Sequence, residues 1–296
     1  MNDDIIETYL NIVKTYSLTQ TAENMFISQS AVSNRLLGLE KELNVKLIER
    51  SPGQRGINLT QKGEEFIEFA KRHQALNQQI KDWSRGNVPE ILRVSSVISL
   101  TDYVKGFYRE LLETEKISIT LATHWTDRII SMLKNRETDI GITPRVFYSK
   151  VVEAVPIFCE KLYLVSNRSV SEYPECVDPK LLKRSKEIYF DWGISFTEWH
   201  ENQMNPLELP LMVTDTTELI PELLQIPGSF SIVPACIYNN YHDPNLKLSR
   251  IVPEPPPRMC YLLKLKEQNS PKRTLIEQFE KKFKEYAKKI DGVFVE

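Results

Sequence analysis

The stretch SLTQTAENMFISQSAVSNRLLGLEKEL, residues 17–43, decides the fold of the N-terminal part of this chain. Ser17 or Thr19 is placed to cap a short helix over 19–25, and Ser28 is placed to cap a longer one. In the longer helix the apolar positions recur at spacings of four, three and four, at Val32, Leu36, Leu39 and Leu43. The stretch therefore predicts a short helix, a turn and an amphipathic helix.

The flanking segments extend this unit in both directions. Apolar residues over 4–16 follow a helical stripe and predict a preceding helix. After the stretch, VKLIER and INLT flank SPGQRG, whose Pro and two Gly suit the tip of a β-hairpin. Three helices followed by a hairpin describe a winged helix-turn-helix over residues 1–60.

The amphipathic helix carries its short polar residues near its N-terminal end, away from the apolar stripe. Such side chains suit base edges and phosphates in a DNA groove, with the helix N-terminus adding partial positive charge. The candidates on this helix are Gln29, Ser30, Ser33, Asn34 and Arg35. The stretch 17–43 has only two cations and three acids, so we expect the hairpin to add phosphate contacts through Arg50, Arg55 and Lys62.

Residues 61–85 predict one long helix with a heptad pattern of large side chains. The pattern runs through Phe66, Phe69, His73, Leu76, Ile80 and Trp83. A second copy of the same helix would cover it and make a dimer. Packing against the helix's own domain is the alternative, and the sequence leaves both open.

The hydrophobic pattern of the sequence changes after GNVPE, residues 86–90. Apolar strand-like runs alternate with helical stretches, which predicts an α/β fold. The predicted strands are ILRVSSVI, SITLAT, TDIGIT, VVEAVPIF and KLYLVS, then EIYFDW, LMVTD and FSIVPA. A helix over 272–290, apolar on one side and rich in lysine on the other, is predicted to end the fold; a solvated face explains the lysines.

Composition and motifs exclude several classes of protein. The N-terminus carries Asp3 and Asp4 where a signal peptide has cations, so we expect a cytoplasmic protein that is not embedded in a membrane. The four cysteines form no C-x-x-C pair, and the four histidines show no metal-binding spacing, so no metal and no cofactor are expected. No P-loop, G-x-G-x-x-G or G-x-S-x-G motif is present, so we predict that the chain is not an enzyme and has no catalytic residues.

The chain resembles the LysR-type transcriptional regulators. The resemblance is specific in TAENMFISQSAVSNRLLGLEKELNVKLIER and in LTQKGEEF, and it continues more loosely through TDIGIT and through SFSIVPA near residue 230. It implies a homo-oligomer, often a tetramer, that binds double-stranded promoter DNA through paired winged helices, with RNA polymerase as a further candidate partner. It also implies a two-lobed α/β effector domain of periplasmic-binding-protein type.

Under this resemblance the chain divides into four parts. They are the DNA-binding domain 1–60, the linker or dimerisation helix 61–86, effector lobe 1 at 91–161 and 265–296, and effector lobe 2 at 162–264. The chain would cross between the lobes near 160–164 and again near 262–267.

The resemblance places a small-molecule effector, of unknown identity, between the two lobes. Strand-to-helix turns in SLTD, HWTD and TDTTE supply hydroxyl groups for such a ligand. The candidates are Ser99, Thr101, Thr126, Thr216 and Thr217, with Trp192 as a candidate aromatic wall. Helix capping for the hydroxyls and packing for Trp192 remain the alternatives.

Two questions stay open at this point. Asp102 and Asp127 would oppose an anionic ligand, so an amino acid or another partly cationic metabolite is as compatible as a carboxylate. The competing function is a solute-binding or scaffold protein whose helical head mediates assembly only.

Overall fold

A computed structural model describes residues 2–49, 56–84, 90–101, 104–146, 149–266, 272–290 and 292–295 of the chain. It contains two compact units, residues 1–89 with 131–138, and residues 90–130 with 139–296. In the described part, no helix is both long enough and apolar enough to cross a membrane.

The first unit begins with the three predicted helices. They are α1 (Asp3–Thr15), α2 (Leu18–Met25) and α3 (Gln29–Leu43). The side chain of Ser17 accepts a hydrogen bond from the backbone N–H of Gln20, and that of Ser28 accepts one from Ala31, so both act as N-caps. Of the two candidate caps for α2, Ser17 therefore holds the position.

Buried apolar residues of all three helices form one core. Val32, Leu36 and Leu39 of α3 are buried, as the spacing predicts. The core also contains Ile6, Tyr9, Leu10 and Ile12 of α1 and Leu18 and Ala22 of α2. Packing of the apolar stripes against one another thus fixes the three-helix arrangement.

The hairpin and the long helix follow as predicted. Strand β1 (Ile48–Glu49) pairs antiparallel with β2 (Asn58–Leu59), and α4 (Gln61–Ser84) begins directly afterwards. The buried carboxylate of Glu40 accepts hydrogen bonds from the backbone N–H groups of Leu47 (2.8 Å) and Ile48 (3.3 Å). This carboxylate ties the start of the hairpin to α3.

The second unit has the predicted α/β pattern. Its first elements are β3 (Glu90–Ser96), α5 (Ile98–Thr101), α6 (Lys105–Thr114), β4 (Ile117–Thr123), α7 (Thr126–Lys134), β5 (Ile140–Thr143), β6 (Val152–Glu160) and β7 (Leu162–Asn167). They are followed by β8 (Cys176–Val177), β9 (Ile188–Phe190), α8 (Ile194–Gln203), β10 (Met212–Thr214), α9 (Ile220–Leu223), β11 (Ser231–Pro234) and α10 (Ala235–Tyr241). The last are β12 (Leu246–Ile251), β13 (Arg258–Leu265), α11 (Arg273–Ala287) and β14 (Val293–Phe294).

Among the described residues the strands of this unit form two main sheets. Lobe 1 contains a six-stranded sheet in the order β14-β6-β13-β5-β3-β4. Lobe 2 contains a four-stranded sheet in the order β11-β7-β12-β8 and the parallel pair β10-β9. All eight predicted strands are confirmed, whereas β8, β12, β13 and β14 were not predicted.

The second crossing between the lobes lies at 252–257, not near 262–267. The first crossing, at Lys161 between β6 and β7, falls inside the predicted range of 160–164. Strand β13, however, pairs with β6 along its whole length, from Arg258 opposite Glu160 to Leu265 opposite Val152. Because of this pairing, lobe 1 resumes at residue 258 rather than 265. Four of the five residues from 253 to 257 are prolines, which end β12 and separate it from β13.

The C-terminal helix α11 packs on lobe 1 through aromatic rings. The ring centroid of Phe107 on α6 lies 5.0 Å from those of Phe279 and Phe283. On the same helix, Glu280 forms ion pairs with Lys264 of β13 (2.6 Å) and with Lys284 (2.8 Å). Burial alone raises the pKa of Glu280, but hydrogen bonds from these lysines outweigh it and hold the pKa below its ordinary value.

Candidate DNA-contacting face and effector pocket

The N-terminal half of α3 presents a polar face to solvent. Gln29, Ser30 and Asn34 are exposed and Ser33 is half-buried, while Val32 on the opposite side is fully buried. The hydroxyl of Ser30 lies 2.9 Å from that of the cap residue Ser28. These four predicted residues therefore share one surface at the start of the helix, where the positive end of the helix dipole favours phosphate.

Arg35 lies on a different flank of α3. Its guanidinium forms an ion pair with Asp4 (2.9 Å) and donates a hydrogen bond to the Thr8 hydroxyl (3.2 Å), both on α1. Its side chain is only 28% exposed. This placement differs from the expectation that Arg35 shares the outward edge with Gln29 and Asn34.

Phe26, in the turn between α2 and α3, was not singled out from the sequence. It is 95% exposed and has a φ of 54°, in the left-handed region that costs most side chains roughly 1–2 kcal/mol. The left-handed backbone belongs to the C-cap of α2, where the N–H of Phe26 donates to the carbonyls of Ala22 and Glu23, so it is the exposure of the ring between α2 and α3 that stands out. Only its position between two helices at the turn could have drawn attention to it.

The predicted phosphate contacts of the hairpin are described only in part. Arg50 and Arg55 lie outside the described residues. Lys62 is exposed at the start of α4 and forms an ion pair with Glu65 (2.6 Å), whose pKa is lowered by that hydrogen bond. Lys62 is thus accessible, because an exposed pair of this kind opens at little cost.

Helix α4 has apolar side chains that are buried on one side and apolar side chains that are exposed on another. Phe66 contacts Tyr9 at 5.2 Å between ring centroids, and Ala70 is fully buried in the core of the first unit. By contrast, Phe69, Leu76 and Ile80 are 62%, 53% and 51% exposed. His73 is half-buried beside Asn77, and the side chain of Trp83 is outside the described part. Packing within the domain therefore accounts for Phe66 but leaves the other three side chains uncovered.

A small pocket, with a cavity volume of about 10 Å³, lies in the second unit, between residues of lobe 1 and lobe 2. Ile98 and Ser99 line it from lobe 1, Phe190 from β9, and the segment 215–218 from the turn after β10. Three of the predicted effector residues, Ser99, Thr216 and Thr217, thus meet at one site. They are brought together because both turns follow strands whose ends face the same cleft.

A buried ion pair supports the wall of this pocket. The Arg258 guanidinium donates to the Glu160 carboxylate (2.8 Å) and to the Ser99 hydroxyl (2.5 Å), with side chains 4% and 0% exposed for Arg258 and Glu160. Arg258 also lies 4.9 Å from the Trp192 ring. Burial raises the pKa of the neighbouring Cys260 thiol, and the negative charge of Glu160 adds to the effect. Glu160 ends β6 and Arg258 begins β13, so the two charges stand at strand ends and no local pattern in the sequence marks the pair.

Trp192 supports the pocket without lining it. Its ring stacks on that of Phe190 at 4.2 Å between centroids, and its indole N–H donates to the carbonyl of Ile232 (2.7 Å). Packing, the alternative considered for this residue, therefore describes its contacts, while Phe190 provides the aromatic wall.

The remaining two candidates lie away from the pocket lining. The Thr101 hydroxyl donates to the carbonyl of Val97 (3.2 Å), and Thr126 is buried at the start of α7. A carboxylate oxygen of Asp127 lies 3.9 Å from a guanidinium nitrogen of Arg145, and Asp102 is outside the described residues. The Thr101 hydroxyl thus bonds back to the carbonyl one turn earlier, which is neither a helix cap nor a pocket contact.

The first unit, called the head from here on, and the two-lobed second unit together define a helix-turn-helix regulator with a small-molecule domain. Comparison with known proteins agrees. Residues 4–64 match the bacterial regulatory helix-turn-helix protein model of the lysR family, and residues 110–284 match the LysR substrate binding domain. The chain therefore belongs to the LysR family of bacterial transcriptional regulators. Membership confirms the predicted function and its partners, namely promoter DNA, a small-molecule effector and further copies of the chain.

Individual relatives span nearly the whole chain. The HTH-type transcriptional regulator HdfR of Yersinia enterocolitica serotype O:8 / biotype 1B is 26% identical over 289 residues, covering 94% of both chains. HdfR of Yersinia pestis (strain Pestoides F) is 24% identical over 290 residues, again covering 94% of both.

Solved structures show the same fold. A full-length CbnR in complex with its target DNA aligns with a TM-score of 0.68 at 22% identity, covering 97% of this chain and 100% of that one. A full-length OxyR variant from Pseudomonas aeruginosa aligns with a TM-score of 0.64 at 18% identity, covering 96% and 94%.

Proposed function

We propose that this regulator contacts its operator through Gln29, Ser30, Ser33 and Asn34 of α3, with Phe26 beside them. The observation that carries the proposal is the exposure of this polar face on a helix whose opposite side is buried. Amide side chains suit adenine, and a phenyl ring suits the thymine methyl group. Arg50, Arg55 and Lys62 are proposed to meet the phosphate backbone.

The test is a binding assay on the DNA upstream of the protein's own gene, with a random duplex as reference. Asn34→Ala should weaken the specific complex roughly 5- to 100-fold, the range for losing one base contact. Asn202→Ala, an exposed position on α8, serves as the matched control and should change nothing. Equal loss on specific and random DNA would remove Asn34 from the base contacts.

The alternative, an assembly scaffold, makes the opposite prediction for the wild-type protein. It predicts no complex with this DNA at low salt even when the protein is folded and oligomeric. Such a result would overturn the proposed operator contacts as well.

Arg35 is assigned a supporting role on the geometry of its ion pair. Because its guanidinium holds α3 against Asp4 and Thr8 of α1, we expect it to orient the helix rather than contact a base. Arg35→Ala should then weaken specific and random duplex to a similar degree. A loss confined to the specific site would show that Arg35 leaves α1 and contacts a base.

We also propose that two copies associate through α4. Phe69, Leu76 and Ile80 are exposed along one side of this helix, and a second α4 would bury them. Leu76→Glu together with Ile80→Glu should convert the oligomer into smaller species in light scattering after gel filtration. Gln74→Glu, also exposed on α4, adds one negative charge outside the stripe, against two in the test variant, and should leave the mass unchanged. Whether dimers pair into tetramers is read from the same measurement.

The pocket lined by Ser99, Thr216 and Thr217 is proposed as the effector site. Occupation of this pocket would be expected to alter DNA binding through the two lobes. The regulator class also implies a cytoplasmic protein that catalyses no reaction. Consistent with this, His200 is buried and engaged with Glu187 at 2.8 Å, which suits a structural role.

A further inference from the structure

Two segments of the chain join the lobes, and a buried ion pair lies where both of them meet lobe 1. Glu160 is the last residue of β6, directly before the crossing at Lys161, and Arg258 is the first residue of β13, directly after the crossing at 252–257. The two residues stand opposite each other in the sheet of lobe 1, and the Arg258 guanidinium donates to the Glu160 carboxylate at 2.8 Å. This ion pair, called the hinge pair below, therefore ties the two crossings together.

The hinge pair is a rigid part of lobe 1. Both side chains are buried, so separating Glu160 from Arg258 would leave an uncompensated charge in the interior, which is strongly destabilising. The pairing of β13 with β6 also holds the two residues side by side. A change in the angle between the lobes must therefore occur at the contacts that lobe 2 makes with the hinge pair.

Lobe 2 contacts each member of the hinge pair through one side chain. The thiol of Cys236, on α10, donates to the Glu160 carboxylate at 2.6 Å. The ring of Trp192 lies 4.9 Å from the Arg258 guanidinium, and its indole N–H is bound to the carbonyl of Ile232 in β11. A thiol is a weak donor, and the attraction of a cation to an aromatic ring is weaker than a buried ion pair. Lobe 2 is thus held on a rigid pair by two weaker contacts.

The same side chains support both walls of the pocket. Arg258 donates to the Ser99 hydroxyl on the lobe 1 side, and Trp192 stacks on Phe190 on the lobe 2 side. Between these walls the cavity volume is about 10 Å³, which is room for about one water molecule. A larger ligand can therefore enter between Ser99 and Phe190 only if lobe 2 moves away from the hinge pair.

We propose that the hinge pair holds the two lobes in a closed arrangement, which opens when Cys236 and Trp192 leave the pair. This adds a conformational step to the proposed effector site, because the pocket admits a ligand only after lobe 2 has been released. The closed arrangement itself depends on no ligand, since the contacts that hold it lie within the chain. It can be tested on the protein alone, separately from the effector role.

The test is the distance between the lobes in the full-length protein, measured by pulsed electron paramagnetic resonance. Spin labels are attached to p-acetylphenylalanine placed at Glu285 on α11 of lobe 1 and at Glu201 on α8 of lobe 2, both of which are exposed. Labelled chains are assembled with an excess of unlabelled chains, so that the distance within one chain is measured. The wild-type protein should give one narrow distribution of distances.

Variants that remove the contacts of lobe 2 should open the hinge. Cys236→Ala combined with Trp192→Leu should broaden the distribution or shift its maximum, because both contacts with the hinge pair are lost. Cys236→Ala alone should do so to a smaller extent, and it serves as the test if the double variant does not fold. Cys236→Ser should keep the wild-type distribution, because a hydroxyl group can donate to the same carboxylate. An unchanged distribution in the folded alanine variants, or an equal change in Cys236→Ser, would overturn the proposal.

Two controls separate the hinge pair from other causes. Cys176→Ala removes an exposed thiol from β8 of lobe 2 and should leave the distances unchanged. Glu254→Gln removes the carboxylate that pairs with Lys161 at 2.9 Å on the exposed side of the two crossings. It should also leave the distances unchanged, because an exposed ion pair contributes little. If Glu254→Gln moved the lobes as much as the double variant does, the exposed pair would control the hinge and the proposal would be wrong.

A gel shift with the double variant distinguishes failure of this inference from failure of the effector role. Lobes that move without any change in DNA affinity or footprint support the hinge pair and contradict the coupling of the lobes to DNA. A changed DNA complex with unmoved lobes contradicts the hinge pair and leaves the effector proposal in place.

Discussion

Gly63 and Gly38 allow the same substitution to be compared at two helical positions with opposite surroundings. A Cβ added at Gly63, in the first turn of α4, would lie 2.1 Å from the carbonyl oxygen of Leu47 and 3.1 Å from its carbonyl carbon. At Gly38, on the exposed side of α3, nothing lies within 4 Å of the added atom. Of these two glycines, only Gly63 has no room for an added Cβ atom.

Leu47 cannot easily move aside. It is fully buried, and its carbonyl accepts a hydrogen bond from the backbone N–H of Thr60 at 3.0 Å. Gly63 is held from the other side, because its carbonyl accepts a hydrogen bond from the Tyr9 hydroxyl at 2.6 Å. Alanine at Gly63 must therefore separate α4 from the base of the hairpin or break these contacts.

The free energies follow from these contacts. Overpacking costs roughly 1–3 kcal/mol and a lost hydrogen bond about 1 kcal/mol. The higher helix propensity of alanine returns about 1 kcal/mol. Gly63→Ala should thus lower the free energy of unfolding of the head by roughly 1–3 kcal/mol, whereas Gly38→Ala should raise it by about 0.5–1 kcal/mol.

Hydrogen exchange of the α1 and α3 amides in the full-length protein measures the head separately from the second unit. Protection should fall in Gly63→Ala, by about tenfold for each 1.4 kcal/mol, and rise slightly in Gly38→Ala. A Gly63→Ala protein with protection equal to or above that of the wild type would refute the close approach of α4 to Leu47.

Three further predictions use other parts of the molecule. Phe26→Asn should stabilise the head by about 1 kcal/mol in urea unfolding, because asparagine tolerates the left-handed backbone, yet weaken operator binding; a gain in both would exclude a DNA contact. The pKa of Glu280 is lowered in the folded state, so its stabilisation is present above its ordinary pKa of 4.5 and is lost as pH falls through the lower folded value. The difference in unfolding free energy between wild type and Glu280→Gln should therefore shrink as the pH is lowered below 4.5; a constant difference would contradict the ion pairs. Phe283→Ala should cost about 3–5 kcal/mol in urea unfolding through its lost contact with Phe107, and a cost below about 1 kcal/mol would show that α11 does not pack there.

Local patterns predicted the head and most strands because their causes are local. The spacing of Val32, Leu36 and Leu39 and the cap at Ser28 depend only on neighbours along the chain, and both predictions are confirmed. The second crossing between lobes was misplaced because sheet membership is not local. The run from Arg258 to Leu265 is a strand in either lobe, and only its pairing with β6 decides which one.

The pocket shows the same limit at the level of single side chains. Ser99 and Thr217 were predicted from strand-to-helix turns, and the fold brings both to one cavity. Thr101 has the same sequence signal, but its hydroxyl bonds to the carbonyl one turn earlier. Whether a hydroxyl faces its own helix or a cleft depends on the rotation of that helix, which a turn motif does not encode. Arg258 was missed because its importance comes from a partner 98 residues away in sequence, Glu160.

In the described part of the head, several cations are already paired with acids, which helps to explain why two copies are needed to bind DNA tightly. Lys46 and Lys62 form ion pairs with acids of the same unit, at 2.7 and 2.6 Å, and Arg35 does so with Asp4. Each of these cations must give up its carboxylate before it meets phosphate, so each contributes less than a free cation does. Joining two heads through α4 raises the effective concentration of the second head without adding any contact. Affinity for an operator with two half-sites should therefore depend more on Leu76 and Ile80, which are proposed to join the two copies, than on any one of these paired cations.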